Sequence, residues 1–219
     1  MDFILIPSFI LFLFLFDRSI NINQIKWFVL HSFTNLLIII TSFMDMTNLL
    51  INPLHQESSL LTNYPRILTI GLHAYHLIAF KIEFIDYLHH FLMIGALSST
   101  YYYSDLVMTN YFLFFMTGLT GMFDYMMLAL VKLNMMNKIT EKKINSVLNN
   151  YIRYPLIMNG VSSLYFRYIN NVYEFTTESY NIYGFILLMA IFFWNGSYFN
   201  YRVVHNYGMN SAHTYRSLV

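Results

Sequence analysis

Residues 107–131 read VMTNYFLFFMTGLTGMFDYMMLALV, twenty-five positions with a single charge at Asp124. A helix rises about 1.5 Å per residue, so about 20 mostly apolar residues cross the roughly 30 Å hydrocarbon core of a bilayer. This run meets that requirement with margin. Six further apolar runs surround it: Phe3–Phe16, Trp27–Met44, Ile67–Phe84, Tyr87–Tyr103, Tyr154–Tyr168 and Tyr180–Phe199. The first is short and invites reading as a cleaved signal peptide. However, Asp2 gives it no positive start, and no small-x-small cleavage pattern follows. Tyr154–Tyr168 is diluted by Asn159 and the Ser162–Ser163 pair. The expectation is an all-α integral membrane protein of about seven transmembrane helices.

The whole chain agrees with that reading. Of its 219 residues 57% are hydrophobic and 11% charged, whereas a soluble domain carries about 25% charged residues. One soluble core could not hide so much apolar surface; lipid in place of water removes the problem. A net charge of +1 leaves no basic excess to neutralise phosphates, so no nucleic-acid partner is expected. The absence of cysteine excludes disulfides, thiolate catalysis and zinc–thiolate sites.

Orientation follows from where lysine and arginine fall, since cytoplasmic loops carry the excess. With seven spans and the amino terminus outside, the cytosolic side holds ten (Arg18, Lys26, Lys81, Lys132, Lys138, Lys142, Lys143, Arg153, Arg202, Arg216) and the outer side two, Arg66 and Arg167. Aromatic residues gather where an interfacial belt belongs: Trp27 at an inner edge, and Tyr101–Tyr103 before an outer turn at Ser104–Asp105. Two longer loops are expected. Residues 45–66, with Pro53 and Pro65, form a polar outer loop beginning at Asp45. Residues 132–153 face the cytosol and carry an apolar stripe (Ile144, Val147, Leu148, Tyr151, Ile152) on a helix that Thr140 would cap. That helix either lies on lipid headgroups or packs on the bundle. Asn195-Gly-Ser matches a glycosylation sequon but falls inside an apolar run. The chain divides into an anchor helix with a short loop (1–26), a multi-span domain (27–205) and a cytosolic tail (206–219).

Ionisable side chains in a bilayer cost several kcal/mol, face the bundle interior and mark function. His31, His73, His76, His89, His90, Asp86 and Asp124 fall within these runs or at their mouths. Counting rise from the inner face puts His31 roughly 7 Å deep, His76 about 12 Å, His73 about 16 Å, His89 and His90 about 5 Å, and Asp124 about 10 Å. Residues from four spans thus share the cytosolic half of the bilayer. His73 and His76 share a helix face, as do Asp86, His89 and His90. A carboxylate one turn before an imidazole can accept its N–H and fix the tautomer. Gly118 and Gly121 lie on the side of Asp124, where small residues let helices approach closely. A polar pocket formed by these residues is expected. Interhelical hydrogen bonding without chemistry is the competing account.

The segment Glu83-Phe-Ile-Asp86-Tyr-Leu-His89-His90-Phe91 resembles the D-x-x-H-H signature of the TLC-domain membrane proteins, a family that includes ceramide synthases and TRAM translocon-associated proteins. The upstream histidine-bearing span is similar too, as is Gly118-Leu-Thr-Gly121-Met-Phe-Asp124 followed by Lys132. The likeness covers roughly Trp27 to His205. It implies a helical barrel around a lipid-accessible cavity in the endoplasmic reticulum or a related endomembrane. It also implies an acyl-transfer site at His89 and His90, with membrane lipid as ligand and acyl-CoA as a co-substrate. The second histidine–aspartate element of the synthases is missing, since residues 117–123 hold no histidine and Asp124 stands alone. This counts against acyl-CoA-dependent amide synthesis.

Three functional readings follow. In the first, His89 or His90 is a general base toward a lipid hydroxyl or amine, oriented by Asp86, with Asp124 as a second polar anchor; His31, His73, His76, Gly118 and Gly121 line the lipid pocket. In the second, the same groups hold a non-catalytic lipid sensor or membrane-protein trafficking factor together. The third is a di-iron lipid hydroxylase, for which His73-x-x-His76 and His89-His90 supply too few clustered histidines. No cofactor and no metal ligand set is read from the sequence.

Overall fold

The computed structural model describes residues 2–103, 106–170, 172 and 180–216, and every regular element among them is helical. Helix α1 (Asp2–Ser19) leads through a 3-10 turn (Asn23–Ile25) into α2 (Lys26–Ile51), then α3 (Tyr64–Ala79) and α4 (Phe84–Tyr103). Helix α5 (Leu106–Leu113) passes through a π-helical turn, Phe114–Gly118, into α6 (Leu119–Lys132). Helix α7 (Lys138–Leu148) passes likewise through Asn149–Arg153 into α8 (Tyr154–Ile169), and α9 (Tyr180–Arg216) closes the chain. Each apolar run of the sequence is therefore helical, except that Ile67–Phe84 breaks at residues 80–83, between α3 and α4. The outer turn expected at Ser104–Asp105 lies outside the described residues. Among the described residues, two stretches, Asn23–Ile51 and Leu106–Lys132, are long and apolar enough to cross a bilayer. Helices α3 and α8 have 16 residues each, about 24 Å of rise. Helix α9 continues through the expected tail to Arg216, because no proline interrupts it.

Six of these elements form a ring in which each touches the next: α2, α3, α4, α9, α8, and α5–α6 back to α2. Helix α1 leans on α3 from outside. The ring is knit by apolar contacts. Tyr111, Phe112, Phe115, Ile157, Leu164 and Phe192 form one cluster joining α5, α8 and α9, and Phe112 stacks on Phe192 at 4.0 Å. Gly160 lets α8 approach α5, since a Cβ there would sit 2.7 Å from Tyr111 Cε1 and 2.8 Å from Phe112 Cε1. Ile38, Leu68, Met93, Leu97 and Leu113 join α2 to α3, α4 and α5.

Polarity is distributed inside out. His31, Thr34, Asn35, His73, His76, His90 and Asn195 are buried, while Leu11, Leu15, Ile40, Phe91, Leu187 and Phe193 are exposed on outer helix faces. Water does not favour an apolar exterior of this extent; lipid does.

Two sequence expectations are corrected here. Asp45 does not open a loop. Helix α2 runs on to Ile51, and Asp45 is fully buried on it. Its carboxylate accepts hydrogen bonds from the Ser59 N–H at 3.0 Å, the Thr62 hydroxyl at 2.8 Å and the Asn110 amide at 2.5 Å. The connection between α2 and α3 is thereby folded back over the helix end. Arg167, also fully buried, donates to the carbonyls of Pro53 at 2.7 Å and His55 at 2.6 Å and ties the same connection to α8. The second correction concerns α7. Its cap is Asn137, whose side chain accepts from the Ile139 N–H at 2.8 Å, rather than Thr140. Its buried face is polar, with Glu141, Asn145, Ser146 and Asn149, whereas Ile144, Val147 and Tyr151 of the expected stripe are exposed. Asn145 accounts for the polar buried face: its amide donates to Asp124 of α6 at 2.7 Å, so the bundle offers this helix a carboxylate to satisfy and the apolar stripe faces outward, one of the two arrangements the sequence left open.

Candidate functional site

Helices α2, α3, α4 and α6 bring their polar residues to one region of the ring. Trp27 and His76 stack at 3.9 Å, His76 and His31 at 4.3 Å, and His31 and Tyr125 at 4.0 Å, a column crossing three helices. His90 stands beside it, 5.7 Å from Trp27 and 4.7 Å from His73 between ring centres. His89 lies 5.6 Å from His73 and packs edge-on against Phe199 of α9.

Three of the imidazoles are oriented the same way. His31 Nδ1 is 3.1 Å from the Trp27 carbonyl, His73 Nδ1 is 2.7 Å from that of Thr69, and His90 Nδ1 is bonded to that of Asp86. A carbonyl only accepts, so each ring donates through Nδ1–H and keeps a lone pair on Nε2. Each acceptor is four residues back along the same helix. The Asp86 carboxylate was the expected orienting group; the Asp86 backbone carbonyl takes that part instead. His76 has no such bond. Its Nδ1 stands 3.4 Å from His90 Nε2, and its Nε2 is buried without a partner.

Two cavities meet at this cluster. An inner one of about 110 Å³ is lined by His31, Asn35, His73, His89, Gly121, Asp124, Tyr125, Arg153 and Asn195, among others. An outer one of about 190 Å³ is lined by Trp27, Asp86, His89, His90, Arg202 and the apolar Ile85, Leu88, Leu92 and Trp194. His31, His89, Tyr125 and Phe199 border both. The mouth of the outer cavity is mostly apolar, because Ile85, Leu88, Leu92 and Trp194 are exposed there, with the Arg202 guanidinium beside them.

The residues singled out in the sequence are placed as follows. His31, His73, His89, Gly121 and Asp124 line the inner cavity; Asp86, His89 and His90 line the outer one. His76 sits behind them in the aromatic column. Gly118 lies where α6 abuts Ile38 and Ile39 of α2, and a Cβ on Gly121 would meet Asn35 Nδ2 at 2.7 Å. Both glycines permit close approach of α2, as small residues do between membrane helices.

Wall residues that were not anticipated include Trp27, Asn35, Tyr125, Arg153 and Asn195. Trp27 reads in sequence as an interfacial anchor, Arg153 as a loop charge and Asn195 as part of a sequon. Arg153 Nε is buried without a partner, its guanidinium covers the Phe199 ring at 5.2 Å, and Nη1 reaches Asn149 Oδ1 at 3.4 Å. It shares the inner cavity with the Asp124 carboxylate. This arrangement gathers a cation, an anion, imidazole lone pairs and amides around one cavity. Such groups can hold a zwitterionic or anionic head, and an imidazole among them can move a proton. Comparison with protein-family models, curated protein sequences and solved structures finds no match for this chain.

Proposed function

We propose that this chain is a polytopic membrane protein of TLC type that holds the polar end of a membrane lipid in the paired cavities. In this reading α1, α2, α3, α4, α5–α6, α8 and α9 cross the bilayer, with the amino terminus outside and the carboxyl terminus in the cytosol. The cavities lie in its cytosolic half, in the endoplasmic reticulum or a related membrane. The observation that carries it is a polar chamber joined to a mostly apolar mouth. Arg153, Asp124 and three imidazoles line the interior, while Ile85, Leu88, Leu92 and Trp194 rim the exit. An amphiphile fits that gradient with its head inward and its chains leaving between α4 and α9. The exposed apolar exterior and the polar interior support immersion in lipid. The six-helix ring agrees with the barrel that the D-x-x-H-H resemblance implies.

A chemical step is the second reading, and the position of His89 favours it. His89 borders both cavities, whereas His90 spends Nδ1 on the Asp86 carbonyl and turns Nε2 to His76. His89 is then the general base toward a lipid hydroxyl or amine, with acyl-CoA the co-substrate if the reaction is acyl transfer. Binding is tested by purifying the chain in mild detergent and identifying retained lipid by mass spectrometry. Wild type retains a lipid class that Arg153→Gln loses; equal retention in both refutes the reading. The chemical step is tested by expressing wild type and His89→Ala at matched levels: a lipid change in the first and not in the second supports it, and identical lipid profiles exclude it.

A further inference from the structure

We propose that His31, His76 and His90 form a binding site for one divalent transition-metal ion of zinc type. The three come from α2, α3 and α4, and all are buried. One nitrogen from each lies within 4.8 Å of the other two. One pair, His90 Nε2 and His76 Nδ1, stands 3.4 Å apart. Two imidazole nitrogens bound about 2.0–2.1 Å from a tetrahedral zinc ion stand about 3.4 Å apart.

The hydrogen bonds point the same way. His31 and His90 each donate Nδ1–H to a backbone carbonyl of their own helix. Metal-bound imidazoles are held in this manner, with the second nitrogen's N–H fixed so that the first presents a lone pair. His76 is the incomplete member. A neutral imidazole needs an acceptor for one nitrogen and a donor for the other. The protein gives His76 a single 3.4 Å contact, to a ring whose own lone pair faces it, and leaves Nε2 buried with none. Of the two defects, the 3.4 Å Nδ1–Nε2 pair is the one that a metal ion between the rings converts into two coordinate bonds. His31 and His90 keep their backbone bonds, so it is rotation of the His76 ring about Cβ–Cγ that closes the site, and it shifts His76 on the Trp27 indole, on which it stacks at 3.9 Å.

The donor set selects the metal. Three imidazoles with neither thiolate nor carboxylate suit zinc, copper, nickel or cobalt and not magnesium or calcium. The outer cavity touches His31 and His90, so the fourth position is open to water or to an oxygen donor. Sequence spacing groups these histidines wrongly, as His73 with His76 and His89 with His90. The fold takes one from each of three helices. The site does not depend on lipid binding.

The test uses the full chain in detergent, stripped with EDTA and titrated with zinc by calorimetry and with cobalt(II) by visible absorption. One ion binds per chain, cobalt shows the intense d–d bands of a tetrahedral site, and Trp27 emission changes in a Trp194→Phe background. His31→Gln, His76→Gln and His90→Gln each weaken binding by more than the 10–100-fold that losing an outer-shell partner costs. His73→Gln and His89→Gln, in the same cluster, leave affinity within a few fold. The wild-type cobalt spectrum decides without any variant: no tetrahedral absorption overturns the site. Equal loss in the His73 and His89 variants, or unchanged binding in the three ligand variants, overturns it as well.

Discussion

Replacing Asp45 by alanine tests whether the end of the ring remote from the histidines is held by one buried carboxylate. Three donors converge on it: the Ser59 N–H, the Thr62 hydroxyl and the Asn110 amide. Asn110 keeps the Thr62 carbonyl at 2.8 Å when the carboxylate is removed, so its loss is partly compensated. Ser59 N–H and the Thr62 proton have no replacement acceptor within the network. Hydrogen bonds to a charged group are worth about 1.5–3 kcal/mol each. Two uncompensated bonds therefore put the cost of Asp45→Ala at about 3–6 kcal/mol, close to what breaking a buried polar set costs. For a chain of this length each kcal/mol moves Tm by about 2–4 °C, which gives a fall of roughly 6–24 °C. Thermal unfolding in detergent at neutral pH, followed by intrinsic fluorescence, measures it. A cycle with Asn110→Ala adds the coupling, expected to exceed about 1 kcal/mol for residues in direct contact. A Tm within 2 °C of wild type, or fully additive single changes, would refute the assignment of Asp45 as the common acceptor.

Other outcomes follow from the same structure. The cysteine-free chain accepts single reporters. Under the proposed topology Ser58→Cys reacts with an impermeant maleimide in sealed lumen-out vesicles, and Lys143→Cys reacts only after permeabilisation; the reverse pattern inverts the topology. Gly160→Ala forces a Cβ to within 3 Å of Tyr111 and Phe112 and lowers stability by about 1–3 kcal/mol. Gly208→Ala, with nothing within 4 Å, is neutral or slightly stabilising, and a comparison of melting temperatures checks both. Burial pushes the Glu141 carboxyl above its ordinary value of 4.5. The folded chain then binds this proton more tightly than the unfolded chain, so stability is lost as pH rises from about 4.5 through the folded value. Glu141→Gln flattens that part of the pH–stability profile, and an unchanged slope counts against the assignment.

Helix existence was legible in the sequence because a helix satisfies its backbone within the segment. Apolar runs such as 107–131 declare themselves without reference to anything else. Helix ends were less so. Asp45 reads as the start of a polar loop, yet donors 14–65 residues away hold it inside α2. The stripe on α7 was visible, but not which side of it the bundle would take, because that depended on Asp124 facing Asn145.

The sequence by itself determined a helical chain of long apolar runs, with histidines and acids placed within several of them. These are properties of segments, set by composition and rise per residue. Only the tertiary structure decided which of those groups meet. Packing chose His31, His76 and His90 from three helices, placed Asp124 with Asn145 and Arg153, and gave His89 a wall in both cavities. Rotation of one helix against another moves a side chain by its full reach without altering its depth, and that rotation is fixed by contacts far apart in the chain.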